Sequence, residues 1–197
     1  MDFLVMIVST FITAVFTENI VFHYTYGMCP FLGVSQKSKT AVGMGLTVIL
    51  VITISSILSY LVYTYLLLPF ELEYLQILLF ILIIAALVQL MEILLKRFIP
   101  ALYKALGIYL PLVTTNCAVL GTANAVIAKE LVFIDTIFYS LFIGVGFLLA
   151  LVLMSGIRER SEKADIPKSF KGLPIALIAA GIMAMAFSGL SGLSFFG

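Results

Sequence analysis

Two cysteines are the residues of this chain best suited to bind a metal. Cys29 and Cys117 are the only cysteines among 197 residues, and each begins a C-x-x-L-G segment. Thiolates bind zinc and iron–sulfur clusters, which commonly take four ligands. The single histidine, His23, excludes a site built from two histidines. The chain therefore offers half of a metal site; a disulfide, or two small buried apolar residues, are the alternatives.

The composition indicates the kind of protein that must position these cysteines. The chain is 63% hydrophobic and 11% charged, and its mean hydropathy is +1.23. Soluble domains average about 45–50% apolar and about 25% charged residues. Disorder is excluded because the chain is too apolar to stay solvated. Nucleic-acid binding is excluded because 11 basic and 10 acidic residues leave no basic field. The composition predicts an all-α integral membrane protein.

Six apolar segments fit the length of about 20 residues that a membrane-crossing helix requires. They are Phe3–Tyr26, Thr40–Leu68, Tyr74–Leu95, Tyr103–Ala128, Leu131–Ile157 and Leu173–Phe196. The loops between them are short, so we expect residues 1–197 to form a single membrane domain. The first segment follows Asp2 rather than a basic region, which is not typical of a cleavable signal.

The basic residues predict the orientation of the chain in the membrane. All of the 11 Lys and Arg residues except Lys129 lie in the loops between segments one and two, three and four, or five and six. The opposite side carries mainly acidic residues: Asp2, Glu71, Glu73, Glu130 and Asp135. Because basic loops stay in the cytoplasm, both termini are predicted to lie outside.

The two cysteine segments form an internal repeat. Each belongs to the first segment of a three-span half, and the halves cover about 1–98 and 99–197. Three is odd, so the second half enters the membrane with the opposite topology. Gly and Pro residues surround both cysteines: Gly27, Pro30, Gly33, Gly107, Pro111 and Gly121. Such residues interrupt helices, so helices one and four are predicted to be broken, with ends that meet and bring the cysteines together.

Four other polar residues are candidates for a role at the site or in transport. Thr114, Thr115 and Asn116 precede Cys117 and are suited to hydrogen bonding a sulfur or capping a broken helix; alternatively, they satisfy one another between packed helices. Glu18 lies within the first span, where a carboxylate is costly. It is either part of an ion pathway or a neutral or partnered carboxyl at a subunit interface.

Several segments of the sequence resemble those of a known family. The segments that carry the resemblance are Gly27–Ser35, Leu106–Gly121, Thr40–Leu46 and the stretch from Arg158 to Pro167. They look like the signature segments of the RnfA/NqrE family, which comprises six-span subunits of ion-translocating electron-transport complexes. The similarity extends over the whole chain and is greater to the Rnf branch than to the Nqr branch.

The resemblance implies a role for both cysteines. In that family, the residues matched by Cys29 and Cys117 join two cysteines of a homologous, oppositely inserted RnfE-like subunit, and together they hold a 2Fe–2S cluster within the membrane. FMN and further iron–sulfur clusters belong to other subunits, among the B, C, D and G subunits. The complex lies in the bacterial or archaeal cell membrane. The chain is thus expected to be an enzyme only as part of a complex, with no catalytic residue of its own.

The resemblance also implies the reaction. Rnf complexes couple electron transfer between ferredoxin and NAD to Na⁺ or H⁺ translocation. The alternative within the family is an NqrE-type subunit of a Na⁺-translocating NADH:quinone oxidoreductase. Two alternatives come from other classes. A secondary transporter is predicted to take up substrate without an electron donor, and a redox-silent scaffold is predicted to tolerate the loss of both cysteines.

Overall fold

The structure of the chain is a computed structural model that describes residues 2–69, 73–98, 112, 116–165, 167 and 170–191. Every regular element in these ranges is a helix, and no strand occurs among them. The helices are α1 Asp2–Ile12, α2 Met28–Val34, α3 Ser38–Val62, α4 Gln76–Phe98, α5 Cys117–Ala128, α6 Phe133–Lys163 and α7 Leu173–Ser191. π-Helical turns extend α1 over Thr13–Thr17 and α3 over Tyr63–Leu67, and a 3₁₀ turn, Glu73–Leu75, precedes α4. The all-helical prediction is confirmed for this part of the chain.

Three of the predicted spans are single helices that are long and apolar enough to cross a membrane. They cover Ser38–Leu67, Gln76–Leu94 and Phe133–Lys163. The apolar helices Val5–Thr17, Cys117–Ala128 and Leu173–Gly189 are shorter. These helices support a membrane protein, while the six-span inverted repeat stays a prediction.

The helices α3 and α6 form the centre of the bundle and share its most extensive contact. A Cβ atom on Gly144 of α6 would lie only 2.9 Å from the Cα of Ile49 on α3. A Cβ atom on Gly45 of α3 would overlap the side chain of Leu148 on α6. Small residues at such positions let two membrane helices pack backbone against backbone. The pair therefore provides a rigid support for the shorter helices around it.

The first predicted span is interrupted, and its predicted end at Tyr26 is wrong. The helix stops at Thr17, residues 18–27 are not helical, and α2 resumes at Met28. The physical reason lies in Asn19, which is fully buried and takes over part of the missing backbone hydrogen bonding. Its amide donates to the carbonyls of Val15 and Gly146, at 2.8 and 3.1 Å, and its Oδ1 accepts from the Val21 N–H at 3.0 Å. Freed backbone groups within a membrane protein need such internal partners.

Candidate metal centre

Cys29 is the second residue of α2, a short helix that is held at both ends. Before it, Gly27 adopts a left-handed conformation with φ of 78°. Beyond its other end, the guanidinium of Arg158 on α6 donates hydrogen bonds to the carbonyl of Leu32 and, at 3.0 Å, to the Oγ of Ser35. A cation at the C-terminal end of a helix compensates the unpaired carbonyls and the helix dipole. Arg158 thus fixes the helix that carries Cys29.

Cys117 is the first residue of α5, and Asn116 caps this helix. The backbone of Asn116 is extended, and its side-chain Oδ1 accepts a hydrogen bond from the N–H of Ala118 at 3.1 Å. Asn is among the residues best suited to this position because its oxygen satisfies an N–H that has no partner within the helix. One of the roles predicted for Asn116, the helix cap, is therefore confirmed. Thr114 and Thr115, and the predicted helix breakers Gly107 and Pro111, lie outside the described residues.

The two cysteine segments contact each other directly. The backbone N–H of Gly27, two residues before Cys29, donates a hydrogen bond to the Sγ of Cys117 at 3.0 Å. A Cβ atom on Gly27 would lie 3.4 Å from the Cβ of Ala118 and 2.5 Å from the ring of Phe147. The close approach therefore requires glycine at position 27. The prediction that the interrupted helices bring their cysteine segments together agrees with this contact.

Both cysteines are free thiols, and both are exposed on the surface of this chain. The residues that follow them, Pro30 and Phe31 in α2 and Ala118 and Val119 in α5, are buried. An unreactive cysteine is usually among the most buried residues of a protein. The alternative of two small buried apolar residues thus disagrees with this structure, as does a disulfide. The sulfurs face the surroundings of the chain.

The donor set suits half of a four-thiolate centre. Among the described residues, no group of three or more His, Cys, Asp or Glu side chains is placed to hold a metal. Cys29 and Cys117 each lie at the N-terminal end of a helix, where unpaired N–H groups favour negative charge such as that of a thiolate. Two further ligands would have to approach from outside, toward the exposed side of the sulfurs. The arrangement fits a centre shared between two chains.

Glu18 forms an ion pair with Lys129, which lies between α5 and α6. The two side chains are 28% and 38% exposed, respectively. The ammonium of Lys129 also lies 4.9 Å from the ring centroid of Tyr139 on α6. Burial lowers the pKa of Lys129, but the hydrogen bond to Glu18 and the proximity of Tyr139 outweigh this effect and raise that pKa. Glu18 is thus partnered within the chain, by the one base that the sequence places on the outer side.

A cavity of about 240 Å³ connects this ion pair with the neighbourhood of Cys117. Its lining includes Glu18, Lys129, Tyr26 and Gly121. The ring of Tyr26 lies against Gly121, one helical turn after Cys117 in α5. The cavity therefore extends from the predicted outer side toward the helix that bears the second cysteine.

Sequence reasoning misses two residues that position the site. Arg158 belongs to a basic loop in the sequence pattern, but its contacts with Leu32 and Ser35 join residues more than a hundred positions apart. Lys129 stands out as the only base of the outer side, a signal that points to an acidic partner nearby. Neither pairing follows from local spacing.

The interrupted first helix, the apolar spans and the convergent cysteines define an integral membrane protein with a candidate redox-metal site. A family model described as "Rnf-Nqr subunit, membrane protein" matches residues 7–194. The chain belongs to this Rnf-Nqr family, which confirms the resemblance deduced from the sequence.

Individual relatives are similar over nearly their whole length, and each is the A subunit of a larger complex. The chain is 53% identical, over 182 residues, to that of the Na⁺-translocating ferredoxin:NAD⁺ oxidoreductase complex of Acetobacterium woodii; the match covers 92% of this chain and 95% of that protein. It is 48% identical, over 192 residues, to that of the ion-translocating oxidoreductase complex of Shewanella sediminis, with 98% of each covered. The corresponding protein of Hahella chejuensis is 47% identical over 192 residues, with 98% and 97% covered.

Proposed function

We propose that this chain is the A subunit of an Rnf-type complex that couples electron transfer between ferredoxin and NAD to the translocation of Na⁺ or H⁺. The names of the relatives support an ion-translocating oxidoreductase, and the relative that is 53% identical is named for ferredoxin and NAD⁺ rather than for a quinone. The observation that carries the proposal is the hydrogen bond from the Gly27 N–H to the Cys117 sulfur, which joins the two exposed cysteine segments.

Cys29 and Cys117 would hold one side of a 2Fe–2S cluster, and two cysteines of a homologous RnfE-like subunit would hold the other. When bound, such a cluster accepts and releases single electrons and divides a hydrocarbon layer of about 30 Å into shorter transfer distances. The residues of this chain bind and orient it: Arg158 fixes α2, Asn116 begins α5, and Gly27 allows the two to touch. FMN and the remaining clusters would belong to other subunits of the complex, among the B, C, D and G subunits.

The proposed location is the cell membrane, with both termini outside. The basic residues at the cytoplasmic end of α6 and in the loop before α7 support this orientation, as does the acidic character of the opposite side. In this orientation, the pair formed by Glu18 and Lys129 lies toward the outer surface. The cavity that runs from it toward Cys117 supports a place for Glu18 on the route of the translocated ion.

The test is to replace each cysteine in the complex purified from membranes. Cys29→Ser and Cys117→Ser are expected to abolish the paramagnetic signal of the intramembrane cluster, to lower the iron and acid-labile sulfide content, and to stop ferredoxin-dependent NAD⁺ reduction. Asn124→Ser is the matched control, because Asn124 lies on α5 like Cys117 but pairs with Gln76, away from the cysteines. Electron transfer that survives both cysteine replacements would indicate a scaffold. Uptake by the isolated chain without an electron donor would indicate a transporter.

A further inference from the structure

The side-chain amide of Asn116 is a buried donor without a partner. Asn116 is only 4% exposed, and its Nδ2 makes no hydrogen bond to any described residue. An amide nitrogen carries two N–H donors, and a buried donor left unpaired is costly. Native structures contain few such groups, and each calls for an explanation.

The cap of α5 fixes the orientation of this amide. The Oδ1 of Asn116 accepts the hydrogen bond from the Ala118 N–H, so the oxygen and the nitrogen cannot exchange places without losing the cap. Three other buried side-chain atoms among the described residues are unpaired, and all are serine hydroxyls of α3: Ser55, Ser56 and Ser59. A hydroxyl rotates freely about its C–O bond to find an acceptor, whereas the planar amide of a capping Asn cannot. The unpaired donor at position 116 is therefore imposed by the local structure.

The amide lies within the contact between the two cysteine segments. The Oδ1 of Asn116 would be 3.3 Å from a Cβ atom placed on Gly27. The N–H of that same Gly27 donates to the sulfur of Cys117, the residue that follows Asn116. Nδ2 is bonded to the same carbon as Oδ1, so the unpaired donor is located where sulfur ligands of this chain meet.

We propose that the Asn116 amide donates a hydrogen bond to a sulfur atom of the iron–sulfur centre and thereby raises its reduction potential. The inference rests on the proposed function, because the acceptor is a sulfur of the centre that Cys29 and Cys117 would hold. Reduction adds one electron to such a centre, and hydrogen bonds to its sulfurs stabilise the added negative charge. Asn116 is a positioning residue for α5 through its oxygen and a tuning residue for the centre through its nitrogen.

The experiment compares variants that keep the helix cap but lack the amide. Asn116→Ser and Asn116→Asp both place a capping oxygen at this position. The serine is neutral, whereas the aspartate has nearly the shape of asparagine. Each is introduced into the whole complex, and the midpoint potential of the intramembrane cluster is measured by a redox titration followed by EPR spectroscopy. Asn124→Ser on the same helix is the control.

We expect both variants to shift the midpoint potential to more negative values while the thermal stability of the complex stays near that of the unmodified protein. Asn116→Ala, which removes the cap as well, is expected to shift the potential and also lower the stability. An unchanged potential in Asn116→Ser, with full cluster content, would overturn the inference. So would loss of the cluster in both capping variants, because the amide would then hold the centre rather than tune it. Absence of any cluster in the unmodified complex would instead refute the proposed function.

Discussion

Replacing Gly27 with alanine tests the close contact between the cysteine segments most directly. Gly27 has a φ of 78°, and its added Cβ atom would lie 2.5 Å from the ring of Phe147. The left-handed conformation costs an L residue about 1–2 kcal/mol, and forcing an extra carbon into a packed site costs about 1–3 kcal/mol more. The expected destabilisation is therefore about 2–5 kcal/mol. Relief of the overlap would also move the N–H of Gly27 away from the sulfur of Cys117.

Gly172→Ala is the matched control for this prediction. Gly172 also has a left-handed φ, of 92°, but a Cβ atom there would have no neighbour within 4 Å. The control therefore carries only the conformational cost of about 1–2 kcal/mol. The assays are the thermal midpoint of the purified complex and its iron content. We expect Gly27→Ala to lower both, and Gly172→Ala to lower the midpoint slightly at full iron content. Equal behaviour of the two variants would refute the packing that we infer at Gly27.

Three further predictions concern contacts around the site. Arg158→Gln removes the charged donor to α2 and is expected to lower iron retention and cost about 1–3 kcal/mol, whereas the exposed Arg160→Gln should leave iron content unchanged in the same metal assay. Glu18→Gln is expected to reduce coupled ion transport in vesicles, and a double-mutant cycle with Lys129→Met should give a coupling of about 0.2–1 kcal/mol because both side chains are partly exposed; normal coupled transport would remove Glu18 from the pathway. Gly144→Ala places a Cβ atom 2.9 Å from the backbone of α3 and should lower the thermal midpoint of the complex by separating α3 from α6; an unchanged midpoint would contradict that packing.

The cysteine site shows which features are predictable from sequence. The repeated C-x-x-L-G segments and their glycines indicate interrupted helices that bring two cysteines together, and the Gly27 contact with Cys117 agrees with that expectation. The exact break is not predictable, because Glu18 and His23 look like isolated polar positions in one long apolar run. The buried Asn19 ends the helix through a hydrogen bond to Gly146, a residue far away in the chain.

The pairings of charged side chains are beyond sequence reasoning for the same reason. Lys129 is visible as an isolated base, and Arg158 as one of several in a loop, but a pattern of charges does not identify partners on other helices. The packing of α5 and α6 decides that Lys129 reaches Glu18, and the packing of α6 against α2 decides that Arg158 reaches Leu32. Both contacts are products of tertiary structure.

The length of α6 has a mechanical consequence. Arg158 near one end grips the short helix of Cys29, Phe147 in the middle lies against Gly27, and Tyr139 near the other end faces the Lys129 ammonium. From Tyr139 to Arg158 this stiff rod measures about 28 Å. A tilt of the rod would therefore strain the first cysteine, the touching point of both segments and the outer charge pair in a single movement.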